Sequence, residues 1–388
     1  MRVLFINSVI YGSTGRICQD LQHVLEKHGH ESVICYARGK KTNSNFKFQN
    51  SFGVFFDGFS SRIFDNQGLN SKKQTHRLIK FICKYKPDII HLHNIHGYFL
   101  NYELLFSFLR DKFFGSVIWT LHDGWPFTGH CTNFDFTNCD KWKTHCYKCE
   151  QKFAYPRAWF ADHSYKNFEF KRNSFCGQNN LFIVTPSLWL SEQVGDSFLK
   201  DYPRFVINNG IDTTCFSKKE KNNRDIILFV AAQWTIRKGA HLIKYIVSGI
   251  DPSKKIVIVG KWKIKKPSIK NCTFIKKSLT KEELNDLYNS SCCFVNPTLD
   301  DNFPTVNIEA QCSGVPVVTF DSGGSRETIF LKESKVVPKN DIKSMKDSIA
   351  KIIAENKEES LSTPIDNFTR ERMTENYLKL YEKVINHE

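Results

Sequence analysis

The chain lacks an apolar run long enough to cross a membrane. Its longest, Ile226 to Ala232, is seven residues, against the ~20 that a transmembrane helix needs. No export signal is expected either. Met1-Arg2-Val3-Leu4-Phe5-Ile6-Asn7 turns polar before an apolar core of about 7–15 residues is complete. A reducing compartment is therefore expected. There the 13 Cys serve as free thiols or metal ligands, and an odd total resists a fully paired disulfide framework. Acidic residues are the minority charge: 40 Asp and Glu against 55 Lys and Arg give a net charge of +15. That balance favours phosphates, nucleotides, nucleic acid or an anionic membrane face, and does not choose among them.

What is present is ample for folding. With 388 residues, 41% hydrophobic and 24% charged, the chain is an ordinary globular protein whose length suggests two or three domains, and wholesale disorder is excluded. Arg2–Asn7, Ser32–Ala37, Asp88–His93, Ser116–His122 and Leu181–Thr185 read as strands, with helical patterns at Gly15–His28 and Gln74–Lys86. The rhythm restarts with strands at Ile226–Ala232, Lys255–Gly260, Thr273–Ile275, Cys292–Asn296 and Val315–Phe320. Helical stretches at Gly239–Ser248, Lys281–Ser290 and Thr305–Ser313 separate them. Such alternation predicts an α/β protein of two doubly wound, Rossmann-like domains with parallel sheets. The boundary falls in the polar stretch between Asp201 and Asn223. The expected domains are 1–205 and 206–367, with a final amphipathic helix, 368–388, packing back on the first. A second polar stretch, Asn356 to Asn367, precedes that helix, whose apolar face is Met373, Tyr377, Leu380, Tyr381 and Val384. Ligands of doubly wound sheets bind beyond the carboxyl ends of the strands, so the site is expected in the loops there, in an interdomain cleft.

The segment from Asn296 to Val318 carries most chemistry. A buried strand ends at Asn296, a loop follows with Asp300 and Asp301, and a helix opens near Pro304 or Thr305 and stops at Gly314. Free amides at such a helix start suit a diphosphate. A neighbouring carboxylate can accept hydrogen bonds from sugar or ribose hydroxyls, though a capped helix with solvated acids reads the same in spacing alone. Gly12-Ser13-Thr14-Gly15 follows the first strand and opens a helix, but is neither Gly-x-Gly-x-x-Gly nor a P-loop. His122 ends a strand and is followed by Asp123. His91 and His93 end another strand, with His93 the site candidate and His91 the packing residue. Cys131, Cys139, Cys146 and Cys149 lie in the loop after His122. They read as a structural zinc site, with His130 or His145 able to replace one thiol, or as two disulfides, or as plain buried thiols. Nine Lys and no acid occur between Lys254 and Lys277, either a solvated face or an attraction to anionic lipid.

Several of these segments together resemble a family. Asp301-x7-Glu309, followed by Ala310-x-x-x-Gly314-x-Pro316-Val317-Val318, is similar to the donor signature of family-4 retaining glycosyltransferases of GT-B fold. Asn208-Asn209-Gly210-Ile211-Asp212 and Arg237-Lys238-Gly239 resemble that family's interdomain segment and its diphosphate-binding basic pair. The colanic-acid and capsule branch is the nearest resemblance, through Gly12-Ser13-Thr14-Gly15-Arg16-Ile17 and His91-x-His93-Asn94-Ile95-His96-Gly97. There are two departures: the first acid is Asp301 where the family usually has Glu, and Gln233 stands where it often has Arg.

The resemblance implies transfer of a sugar, with retention, from a nucleotide-diphosphate donor to a hydroxyl of a polysaccharide or lipid-linked saccharide, as in capsule, exopolysaccharide or O-antigen synthesis. It implies His122, Asp123 and Asp301 near the reacting sugar. Arg237, Lys238, Asn302, Phe303, Thr305 and Glu309 would hold the donor, and Gly12, Ser13, Thr14, Gly15 and His93 would line the cleft, with the glycine loop letting the acceptor or the donor phosphates approach the backbone. No Asp-x-Asp occurs in the chain, so no catalytic metal is expected and zinc would be structural. The expected setting is cytoplasmic, or peripheral at the inner face of the plasma membrane, with no nucleic-acid partner. Two rivals remain: a nucleotide-sugar 2-epimerase of the same fold, and a non-catalytic zinc-containing nucleic-acid binder.

Overall fold

A computed structural model of the chain describes residues 1–219, 224–355, 361 and 365–386. Two compact units emerge, Met1–Ile207 with Thr374–Glu388, and Asn208–Met373. Parts of both polar stretches read as boundaries lie outside the described residues.

The first unit is a seven-stranded, all-parallel sheet. Its strands are β1 (Arg2–Val9), β2 (Glu31–Arg38), β3 (Phe46–Lys47), β4 (Ile89–Leu92), β5 (Ser116–Thr120), β6 (Leu181–Thr185) and β7 (Arg204–Val206), in the order β3-β2-β1-β4-β5-β6-β7. Helices α1 (Gly12–Lys27), α2 (Ser51–Phe64), α3 (Lys72–Tyr85), α4 (Tyr102–Lys112), α5 (Ser164–Phe175) and α6 (Leu188–Gly195) connect and flank them. The central strands β1, β4 and β5 are buried almost throughout, which is why they read as continuous apolar runs and not as alternation. The order reverses between β1 and β4, and this switch point fixes where a ligand crevice opens.

The second unit repeats the plan with six parallel strands. They are β8 (Ile226–Trp234), β9 (Lys255–Trp262), β10 (Cys272–Ile275), β11 (Ser291–Asn296), β12 (Val317–Phe320) and β13 (Lys335–Val337), in the order β10-β9-β8-β11-β12-β13. Its switch point lies between β8 and β11. The helices are α7 (Ile243–Ile246), α8 (Lys281–Asn289), α9 (Thr305–Cys312) and α10 (Ile342–Glu355), and α11 (Arg370–Asn386) closes the chain. Of the lysine run, Lys255 and Lys261 lie on β9, Lys263, Lys265, Lys266 and Lys270 in the loop leading to the edge strand β10, and Lys276 and Lys277 just past it, and cations flanking an edge discourage pairing with another chain.

The segment expected as a helix from Gly239 to Ser248 is mostly turns, with only α7 regular. Gly239 has φ +71, and the N–H groups of Gly239 and Leu242 close four-residue turns on Ile236 O and Gly239 O. That geometry delays the helix. Asp212 ties the beginning of the second unit to its end, because Oδ2 accepts from Lys281 Nζ at 2.9 Å and from Arg370 at 2.8 Å. Beside it, Ile211 N donates to Phe368 O at 2.9 Å, and Arg370 N donates to Ile211 O at 2.9 Å.

α11 begins in the second unit, and from Thr374 onward it belongs to the first. Tyr377, Leu380, Tyr381 and Val384 are all buried. Tyr377 meets Thr120 Oγ1 at 2.9 Å, Tyr381 meets His91 Nδ1 at 2.7 Å, and Ser116 Oγ donates to Val384 O at 3.0 Å.

Candidate active site

In the first unit, candidate residues gather beyond the carboxyl ends of β1, β4 and β5. After β1 the chain turns at Gly12, whose φ is +73, and α1 begins there with no side-chain cap. Gly12 and Ser13 are exposed. Thr14 Oγ1 accepts from Asn7 Nδ2 at 3.2 Å. Gly15 is buried, and a Cβ there would lie 2.5 Å from the backbone carbon of Ile10, so only glycine lets the helix start this close to the strand.

His93 lies just past β4, and His122 two residues past β5. His93 Nδ1 and His122 Nε2 are 3.0 Å apart, with the rings stacked at 5.3 Å. His93 is buried, and its Nε2 has no hydrogen-bond partner among the described residues. His91 is a packing residue, held between Tyr381 and Thr120 Oγ1 at 2.7 and 2.8 Å.

Burial pushes all three imidazoles toward neutrality. It holds His122 at about 4, and His91 and His93 well below the usual histidine range, with the neighbouring rings adding to the effect. These groups bind protons in the unfolded chain at a pH where the folded one does not, so stability falls as pH drops through the 6.5 of a free histidine toward 4. At about 1.4 kcal/mol per pH unit per ring, the first unit should lose ~2 kcal/mol or more between pH 7 and 5. Urea unfolding at the two pH values measures this, and equal stabilities would contradict the buried neutral rings.

Asp123 is tied to a histidine elsewhere in the chain. Its Oδ2 is 2.9 Å from His96 Nε2, and its Oδ1 accepts the Trp125 N–H at 3.0 Å. Burial alone would raise its pKa, but His96 and the Trp125 amide hold it below the usual carboxylate range. The carboxylate is committed to His96, and the far nitrogen of that ring, Nδ1, meets Tyr155 OH at 3.0 Å. His96 and Tyr155 are therefore members of the cluster that spacing did not single out. His96 stood in a recognisable motif, whereas Tyr155 is 59 residues away from it and gives no local signal.

The cysteine loop follows. Cys131 and Cys146 are buried, and Cys139 and Cys149 half-buried, all as free thiols. Cys131 and Cys149 hydrogen-bond each other, which raises the first thiol and lowers the second. Burial pushes Cys146 up to about 12, and its sulfur accepts the Gly129 N–H at 3.2 Å. Among the described residues no three His, Cys, Asp or Glu side chains converge as a metal site. The thiols of Cys139, Cys146 and Cys149 all interact with that of Cys131, and the four pack against the core of the first unit.

In the second unit the candidates gather beyond β8 and β11. Two strand-end loops are stitched together: Leu299 N donates to Arg237 O at 2.8 Å, and the Arg237 guanidinium donates to Asp300 O at 2.5 Å. Lys238 Nζ pairs with Asp301. Burial would raise the Asp301 pKa, but Lys238 and Arg237 hold it below the usual range. α9 starts at Thr305 behind Pro304 with no side-chain cap, leaving its first amides available near these cations. Thr305 and Asn302 are half-buried at this edge. Glu309, one turn along, is half-buried and accepts a long hydrogen bond, 3.4 Å, from Tyr288 OH. Phe303 is a correction. It is buried in the core beside Phe368, so its ring is not a donor contact, although its N–H meets Asp301 Oδ1 at 3.3 Å.

This is a two-unit Rossmann-like fold of the GT-B class, with an anion-competent helix start at the switch point of its second sheet. Residues 212–371, most of the second unit, match the model of the family Glycosyl transferases group 1. The chain is 26% identical over 272 residues to WcaC of Escherichia coli (strain K12), assigned as a colanic acid biosynthesis glycosyl transferase. That match covers 66% of this chain and 65% of WcaC, so it spans just under two thirds of that relative's length. Among solved structures, sucrose-phosphate synthase from Thermosynechococcus elongatus superposes with a TM-score of 0.69 at 15% identity, over the whole of both chains. Anabaena Alr3699/HepE in complex with UDP gives 0.63 at 12%, over 99% of this chain and 100% of that one. At these identities the structural likeness speaks for the fold.

Proposed function

We propose that the protein is a retaining glycosyltransferase of polysaccharide biosynthesis. The second unit holds a nucleotide-diphosphate sugar, and the first takes up a saccharide or lipid-linked saccharide acceptor. One observation carries the reading: the uncapped start of α9 lies with Arg237, Lys238 and Asp301 at the carboxyl ends of β8 and β11. Backbone amides and two cations there suit a diphosphate and stabilise it as a leaving group without a metal. The matched family model and the UDP bound by HepE support this choice of ligand.

On this reading Lys238 exchanges its Asp301 partner for phosphate oxygens when the donor arrives, and Asp301 becomes free to accept from a sugar hydroxyl. The bond from the anomeric carbon to the phosphate oxygen breaks, and one from that carbon to the acceptor oxygen forms on the same face. The leaving phosphate takes the acceptor's proton. Neutral His122, with His93 behind it, contacts the reacting sugar. The basic run from Lys254 to Lys277 favours an anionic surface near a lipid-linked acceptor.

Glu309 is expected to bind the donor's ribose hydroxyls. Glu309→Ala should weaken nucleoside diphosphate binding by ~1.5–3 kcal/mol, the scale for hydrogen bonds to a charged group, as read by calorimetry. Unchanged affinity would remove Glu309 from the donor site. The class itself is tested by a thermal-shift screen against UDP-, GDP-, ADP- and dTDP-sugars, where a bound donor raises the melting temperature. Product analysis with donor alone detects an epimerase by turnover without acceptor. Retention on heparin with no nucleotide-sugar stabilisation would instead favour a nucleic-acid binder.

A further inference from the structure

Helix α2 is inside out. Its buried residues are Asp57, Gly58 and Ser61, while Phe52, Phe55, Phe56 and Phe59 are between 45% and 70% exposed. These four recur at intervals of three and four, the spacing of one helical stripe. A helix with that pattern ordinarily turns the stripe inward. Here the polar side is fixed inward instead, because the Asp57 carboxylate accepts from Ser61, from Asn70 at 3.1 Å and from Ser71.

The stripe is part of a larger surface. Phe59 meets the edge of Trp159 at 6.1 Å, and Trp159 the edge of Phe160 at 6.5 Å; both are exposed, Phe160 to 74%. Trp159 N donates to Arg62 O at 2.6 Å, and Lys152 Nζ to Phe160 O at 3.4 Å, so the loop carrying these rings is fastened to α2. Contiguous exposed apolar surface of this kind marks an interaction site.

We propose that this aromatic face docks on the headgroup region of an anionic lipid bilayer, with the phenylalanines and Trp159 entering the interface. The inference does not depend on the sugar-transfer reading. Charge points to the lipid. Between Ser51 and Phe64 the one acid, Asp57, is buried, and there is no acid between Gln151 and Ala161, whereas Arg62, Lys152 and Arg157 border the rings. Cations flanking an aromatic stripe match an interfacial helix on anionic lipid. A second copy pressed face to face would set like charges against each other. A soluble saccharide would find few hydrogen-bonding groups, since the exposed stripe of α2 is all phenylalanine.

Co-sedimentation with vesicles tests the proposal. The full chain should bind vesicles of phosphatidylcholine containing phosphatidylglycerol, and bind phosphatidylcholine alone more weakly. The double variant Phe55→Ser, Phe59→Ser should lose ~10-fold or more of the affinity, since each ring's apolar burial is removed. Lys152→Glu with Arg157→Glu should weaken binding to the anionic vesicles only. Trp159 provides a readout in the unaltered protein, because the other six tryptophans are buried or half-buried. Its emission should shift to the blue with vesicles and be quenched by brominated lipid. Absent sedimentation, or equal sedimentation of wild type and the folded serine variant, would overturn the docking. Concentration-dependent dimerisation abolished by the serine variant, without vesicle binding, would assign the face to a second copy and overturn it too. A Trp159 response to soluble oligosaccharide and none to vesicles would have the same force.

Discussion

Substituting His122 with alanine is expected to lower kcat by roughly 10²–10³, equivalent to ~3–4 kcal/mol of barrier, with donor affinity nearly unchanged. The ring stands beyond the end of β5, at the edge where the first unit's candidate residues gather. Burial holds its pKa at about 4, so at neutral pH it is an uncharged imidazole and not a proton donor of ordinary strength. Its Nε2 shares a hydrogen bond of 3.0 Å with His93. An uncharged ring fixed in this way can contact a sugar whose anomeric carbon gains positive charge, without the repulsion an imidazolium would bring. An interaction that strengthens only in the transition state is lost from kcat and not from donor binding. If the ring only packs the strand end, the variant will lose melting temperature but keep its activity per folded molecule. Measuring both on one preparation separates the roles, and near-normal turnover by a folded, donor-binding variant would refute the catalytic one.

How far the sequence reveals such a site depends on how local each contact is. The switch-point loops were legible because strand ends, glycines and a helix start are written in adjacent residues. Pro304 and Gly314 bracket α9 closely, and His122 sits at a strand end in any reading. Asp123 is the opposite case, because its carboxylate reaches His96, 27 residues away, a partner that adjacency in the chain does not show. Phe303 misled: it lies inside a motif whose flanking residues face a ligand edge, yet its own ring fills the core. The phenylalanine stripe of α2 is the sharpest case. Its spacing is that of a buried face, and only the buried Asp57 cluster, built from residues 57–61 and 70–71, turns it outward. The C-terminal helix was readable as amphipathic, but the partners of Tyr377 and Tyr381 lie 257 and 290 residues back.

The second large effect is expected from Gly239→Ala, which should weaken nucleoside diphosphate binding ~100-fold or more. Gly239 closes the turn that carries Arg237 and Lys238, with a φ of +71, in the left-handed region that glycine favours. Space is the harder constraint. A Cβ at this position would lie 2.0 Å from Pro297 O and 2.9 Å from Pro297 C, and these are backbone atoms that cannot rotate aside. The turn must therefore lift from the 297–301 loop. Lifting it strains the hydrogen bonds from Leu299 N to Arg237 O and from Arg237 to Asp300 O, and it separates Lys238 from Asp301. One methyl group thus displaces both proposed phosphate cations and the acid proposed for the sugar, and misplacement by about an ångström is enough for a loss of this size. Lys238→Ala is the control that removes charge without moving the turn, and a loss of ~10-fold is expected there, on the scale of one charged hydrogen bond. Strain at positive φ also costs stability, by about 1–3 kcal/mol, so binding is measured on protein shown to be folded by near-ultraviolet circular dichroism. Normal nucleotide affinity in folded Gly239→Ala would mean that the diphosphate is held elsewhere, and would remove the Arg237–Lys238 turn from the donor site.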